Sequence, residues 1–132
     1  MAAAKNKGLI AEDRLVKRLS VLPPDWTPVK VAASGSVAHK KGDLKSARNL
    51  IENKQTDRDS FSMTRAVLNK IQREATEQGG RVPLLTVQIG AAESDEVRVV
   101  VMREQDFMEL VTELESWKAD YNDLVKDCQS GP

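Results

Sequence analysis

The chain has 132 residues, which fits one domain and suffices to bury a core without disulfide or metal staples. With 40% hydrophobic and 30% charged residues it reads as globular rather than disordered, and its lone cysteine, Cys128, and lone histidine, His39, exclude an internal disulfide, a cysteine zinc cage and a multi-histidine metal site. The formal net charge is zero, yet residues 1–81 hold 16 Lys and Arg against 9 Asp and Glu, whereas residues 82–132 hold 4 against 11. That asymmetry fits either a polyanion partner on one side or a solvated surface whose charges segregate. The zero net charge argues against loose electrostatic binding of nucleic acid over the whole surface.

The opening MAAAKNKGLIAEDR carries charges where a secretory signal needs an apolar stretch, so a cytoplasmic protein is expected. No apolar run approaches the roughly 20 residues of a membrane span. Residues 1–6 and 128–132 read as frayed ends. A first helix is predicted from about Lys7 to Ser20, with Leu9, Glu12, Val16 and Leu19 on one face and Leu15 beside them, before Pro23-Pro24 breaks it. Val29, Val31 and Ala33 alternate as a short strand does. Ser34-Gly35-Ser36 and a loop over Val37–Gly42 follow, then a brief strand at Asp43-Leu44, a turn over Lys45–Arg48 and a strand over Asn49–Gln55. Ser62 is the predicted cap of a helix marked by Val67, Leu68, Ile71 and Ala75, which runs to about Gln78 and is stopped by Gly79-Gly80. Val82–Ile89 is a strongly apolar strand, Gly90–Asp95 a turn and Glu96–Met102 a partner strand. A last amphipathic helix spans about Glu104 to Lys126, with an apolar stripe from Phe107 to Val125 that is long for covering one small sheet. Its predicted use is core or subunit packing. The order helix, three strands, helix, two strands, helix predicts an α/β domain with a central sheet.

The chemistry-bearing stretch is Gly42-Asp43, eight residues, then Glu52-Asn53-Lys54. On a strand Glu52 and Lys54 project together while Asn53 points away. Asp43 on the neighbouring strand can lie beside Glu52, so two carboxylates and an ammonium converge at one sheet edge. Hard oxygen donors of this kind suit Mg²⁺, and a lysine beside them can orient a water or balance phosphate charge. The bland alternative is a charged, solvated strand face. Glu12 inside an apolar helical stripe, and Lys40-Lys41 with two serines just before Asp43, add to the chemical reading.

Lys7-Gly8, Glu12, Ser34-Gly35-Ser36, Gly42-Asp43 and Glu52-Asn53-Lys54-Gln55 together resemble, in order and spacing, the PD-(D/E)XK nuclease superfamily. They most resemble its archaeal Holliday-junction-resolvase-like branch and phage-encoded relatives, over roughly residues 5–102. Gly42 stands in place of the family's proline, Asn53 where an apolar residue is more usual, and the acidic C-terminal helix exceeds the minimal pattern. The resemblance implies a restriction-endonuclease-like α/β core in one domain over residues 1–132. That core is a mixed sheet of about five strands flanked by helices over about 5–102, with the amphipathic helix at about 104–127. It implies a DNA endonuclease using Mg²⁺, with Mn²⁺ as substitute, and Asp43, Glu52 and Glu12 as metal ligands. Lys54 would act on the attacking water and Ser36 near the scissile phosphate. Lys7, Arg14, Ser34, His39, Lys40, Lys41 and Gln55 are candidate DNA contacts. Branched DNA such as a Holliday junction is the expected substrate, and a homodimer the expected assembly, since a four-way junction needs two symmetric cuts. Alternatives are a nicking, repair or restriction-type nuclease with the same site, or a DNA-binding module without catalysis.

Overall fold

The computed structural model describes residues 2–30 and 43–129, with side chains described for residues 8–30 and 44–129. The chain divides into two compact units, Met1–Val101 and Met102–Pro132.

The first unit opens with helix α1, Ala2–Leu19. It begins before the predicted Lys7 because Ala2–Ala4 are the strongest helix formers available. Lys17 and Arg18 in its last turn complement the negative end of the helix dipole. The buried face carries Ala11, Glu12 and Leu15. Leu9, predicted to face inward, is 50% exposed. The inner face is rotated toward Ala11, whose small side chain lets Gln88 Nε2 donate to the Ala11 carbonyl at 3.3 Å. After the helix, Pro24–Trp26 form one short 3-10 turn. The Arg48 guanidinium lies over the Trp26 ring at 4.7 Å, and the Arg48 N–H donates to the Asp25 carbonyl, which anchors that turn.

The sheet has five strands in sequence order: β1 (Val29–Lys30), β2 (Asp43–Lys45), β3 (Asn49–Thr56), β4 (Val82–Ile89) and β5 (Val97–Met102). β1–β2 and β2–β3 are antiparallel, and β3–β4 is parallel, with Glu52 opposite Leu85 and Asn53 opposite Thr86. The sheet is therefore mixed and five-stranded, as expected. The turn between β2 and β3 starts at Ser46 rather than Lys45; Ser46 Oγ accepts from the Asn49 N–H at 2.9 Å and closes it. The predicted strand continuation through Ala33, and the loop over Ser34–Gly42, lie outside the described residues.

Helix α2, Arg65–Glu77, is the crossover that parallel β3 and β4 require. Its cap is Thr64, not the predicted Ser62: the Val67 N–H donates to Thr64 Oγ1 at 3.3 Å. Gly79 and Gly80 stop it, both with positive φ. Ile71 packs with Leu85 and Val87, and Phe61, Val67, Ile89 and Val101 border that cluster. Because β4 side chains alternate, Thr86 and Gln88 face the other side, where α1 lies. α1 and α2 thus flank the sheet on opposite faces. Gly90 ends β4 with φ +134°, and a Cβ there would meet Glu96 Cα at 3.0 Å, so only glycine fits this corner.

The second unit is built on one long helix, α3, Glu104–Gln129. At its start Arg103 forms a two-pronged pair with Asp106, at 2.6 and 3.0 Å. Among the described residues no helix is long and apolar enough to cross a membrane.

Candidate active site

The register places Asp43 of β2 directly opposite Glu52 of β3. Facing residues on antiparallel strands have Cβ atoms about 4.5–5.5 Å apart, so the backbone brings these two acidic positions together. The side chain of Asp43 lies outside the described residues. Glu52, a carboxylic side chain, is only 7% exposed. Lys54, two residues on, sets its Nζ 3.1 Å from Glu52 Oε1. By strand alternation both belong to the face that carries Leu85 and Val87.

Asn53 points the other way, as its place between them requires. Its Oδ1 accepts from Thr86 Oγ1 at 2.8 Å and from Gln88 Nε2 at 3.1 Å. Gln88 also holds the Ala11 carbonyl and accepts from Arg14 Nη2 at 3.3 Å. The asparagine at this position therefore has a structural reason: it is the β3 end of a buried polar bridge from β3 through β4 to α1. An apolar residue would leave Thr86 and Gln88 short of a partner.

Glu12, the residue after Ala11, is 7% exposed. Burial pushes its carboxyl above the ordinary value; Lys30 pulls it back, while Asp13 and Glu52 push it further up. Glu52 adds the smallest of these contributions, and Glu12 comes from α1, on the face opposite the one that carries Glu52. Lys30 Nζ is 3.8 Å from Glu12 Oε1 and also contacts Asp13 Oδ1. The bond to Asp13 holds Lys30 in its charged form above the usual value. Lys30 thus supplies a second cation on the Glu12 side. Sequence reasoning missed it, although a lysine between Val29 and Val31 on a strand was the available signal. Thr86 and Gln88 were likewise legible, as two polar residues on one face of a strand otherwise apolar.

The remaining candidates divide. Arg14 is engaged away from Glu52, with Glu96 at 3.3 Å and Glu93 at 3.4 Å. Gln55 donates to Asp57 Oδ1 at 2.9 Å, at the end of β3. Lys7 sits on α1, five residues before Glu12, and its side chain lies outside the described residues. Ser34, Ser36, His39, Lys40 and Lys41 also lie outside them. Among the described residues no group of three or more His, Cys, Asp or Glu side chains is placed to hold a metal ion. Glu12 and Glu52 make two such donors, and the Asp43 position adjoins the second by register. Compared with known proteins, the chain matches no family model, no curated protein and no solved structure.

Proposed function

We propose that this chain is a cytoplasmic, metal-dependent DNA endonuclease that hydrolyses phosphodiester bonds in branched DNA such as four-way junctions, working as a homodimer. One observation carries the reading: the register that sets Asp43 against Glu52, with Lys54 beside Glu52 at 3.1 Å. The donor chemistry fits a hard divalent cation. Glu12 and Glu52 are buried carboxylates, burial pushes the Glu12 carboxyl up with a smaller push from Glu52, and the register sets the Asp43 position opposite Glu52. Glu52 and Asp43 would hold Mg²⁺, or Mn²⁺ in its place, with Glu12 behind them. The ion, when bound, neutralises charge that develops on the phosphate. Lys54 acts differently, because its ammonium, tethered by Glu52, orients the attacking water and balances the phosphate. The basic excess of residues 1–81 supplies the attraction for the DNA backbone, and Ser34, Ser36, Lys40 and Lys41 are its proposed contacts.

The test is incubation with a four-way junction, a flap and a plain duplex, each with Mg²⁺ or with EDTA. Paired symmetric nicks in the junction alone support the proposal. Metal-dependent cutting of all three points to a general nicking or restriction-type enzyme. Binding without cutting under every condition identifies a DNA-binding module and overturns the assignment of the site.

A further inference from the structure

We propose that α3 pairs in parallel with α3 of a second copy of this chain, as a two-stranded coiled coil. The inference deepens the homodimer of the proposed function, but it is argued from the second unit alone and its test does not depend on DNA cleavage. The apolar residues of α3 recur at alternating steps of three and four. Phe107, Leu114 and Tyr121 occupy one seam position of a heptad, and Leu110, Trp117 and Leu124 the other. A strict seven-residue repeat of this kind winds helices around each other with a left-handed twist. Leu110 is half-buried, while the rest of the seam lies open, with Trp117 and Tyr121 69% and 67% exposed.

The flanking positions select both partner and orientation. One flank holds Glu113, Asp120 and Asp127; the other holds Val111, Lys118 and Val125. In a parallel pair each flank faces the opposite flank of the partner, so acidic residues meet Val or Lys, and Glu113 reaches Lys118 of the second copy. In an antiparallel pair like flanks meet, and the acidic rows confront each other. The parallel self-pair therefore matches charges that the antiparallel one opposes. The six seam aromatics of two copies alone offer roughly 1,000 Å² for burial, the scale of a stable interface. Over its length the helix carries eight Asp and Glu against two Lys, so two copies repel at long range and salt favours their association.

Cys128 continues the repeat at the next seam position and is exposed. Parallel pairing brings the two Cys128 thiols face to face; antiparallel pairing holds them about 30 Å apart, some 21 residues along the helix at 1.5 Å each. The experiment uses the full chain. Light scattering measures the mass at low and high salt, and a copper–phenanthroline oxidant tests cross-linking. Two Cu(II) ions each accept one electron, the two thiol protons pass to solvent, and the S–S bond forms. The expected result is the mass of two chains, association that tightens at least severalfold with added salt, and a reducible dimer band that Cys128→Ser abolishes without changing the mass. Trp117→Glu should give the mass of one chain with the helix content of the sheet unit kept. A single-chain mass at about 100 µM, a mass of three or more chains, weakening by salt, or a dimer that does not cross-link would overturn the proposal. The cross-linking of the unaltered chain decides it even if Trp117→Glu does not fold.

Discussion

Gln88 joins three elements with one side chain, and replacing it by leucine tests whether that bridge holds α1 on the sheet. Gln88→Leu keeps the side-chain volume nearly constant but removes three hydrogen bonds, to Ala11, Asn53 and Arg14. At about 0.5–1.5 kcal/mol each the loss is about 1.5–4.5 kcal/mol. Burying the leucine carbons offsets about 1–2 kcal/mol of it, so the expected net destabilisation is about 2 kcal/mol. Urea unfolding followed by far-ultraviolet circular dichroism reads this directly. With a slope of about 2 kcal/mol per molar, the midpoint should fall by about 1 M. Asn53→Ala breaks one of the same bonds. The double variant should therefore lose about 1 kcal/mol less than the sum of the singles. A Gln88→Leu midpoint equal to that of the unaltered chain, or strict additivity with Asn53→Ala, would refute the bridge. The consequence reaches the site, because Ala11 directly precedes Glu12. A helix released at Ala11 no longer holds that carboxylate in its buried place beside Lys30.

Lys54→Ala should lower the cleavage rate of a four-way junction at least a hundredfold, with DNA affinity in a gel-shift titration changed less than threefold. Asp43→Asn should lose metal-dependent cutting while binding DNA as well or better, since one negative charge that repels a polyanion is gone. Glu96 is set between Arg98 at 2.7 Å and Arg14 at 3.3 Å. Burial alone would raise its carboxyl, yet the two arginines prevail and hold it below the ordinary value of 4.5. Its ionised form therefore stabilises the fold above pH 4.5, and that contribution is lost as pH falls through the folded-state value. Glu96→Gln should lower the melting temperature at pH 7, and the difference from the unaltered chain should shrink progressively below pH 4.5. Thr64→Ala should cost about 1 kcal/mol in urea unfolding, whereas Ser62→Ala should stay within about 0.5 kcal/mol of the unaltered chain.

The elements that sequence reading placed well are those whose signals are local. Gly79-Gly80 end α2 by backbone conformation, and the apolar run of Val82–Ile89 is β4 to the residue. The pairing of Glu52 with Lys54, and the opposite aim of Asn53, follow from strand alternation alone. What escaped depends on contacts between distant segments. The inner face of α1 is set by Gln88 reaching the Ala11 carbonyl, which no helical periodicity in residues 7–20 contains. The cap of α2 lies in a polar run where Ser60, Ser62 and Thr64 are chemically similar, and the position of the first free N–H groups decides among them. Arg14 looked like a phosphate contact because its charge was visible, while Glu93 and Glu96, its partners, lie about 80 residues on. Lys30 escaped because its partner Asp13 sits on a different element.

The chain has two tryptophans, and the division into units gives each unit one of its own. Trp26 is stacked under the Arg48 guanidinium beside the sheet, and Trp117 is on the open stripe of α3. The protein is thereby supplied with two independent intrinsic fluorophores. Trp117→Phe leaves an emission that reports only the anchoring of the turn at Pro24–Trp26, and Trp26→Phe leaves one that reports only the surroundings of the long helix. Whether the two halves of the chain melt as one cooperative body or in separate steps becomes a question two single-colour melting curves can answer.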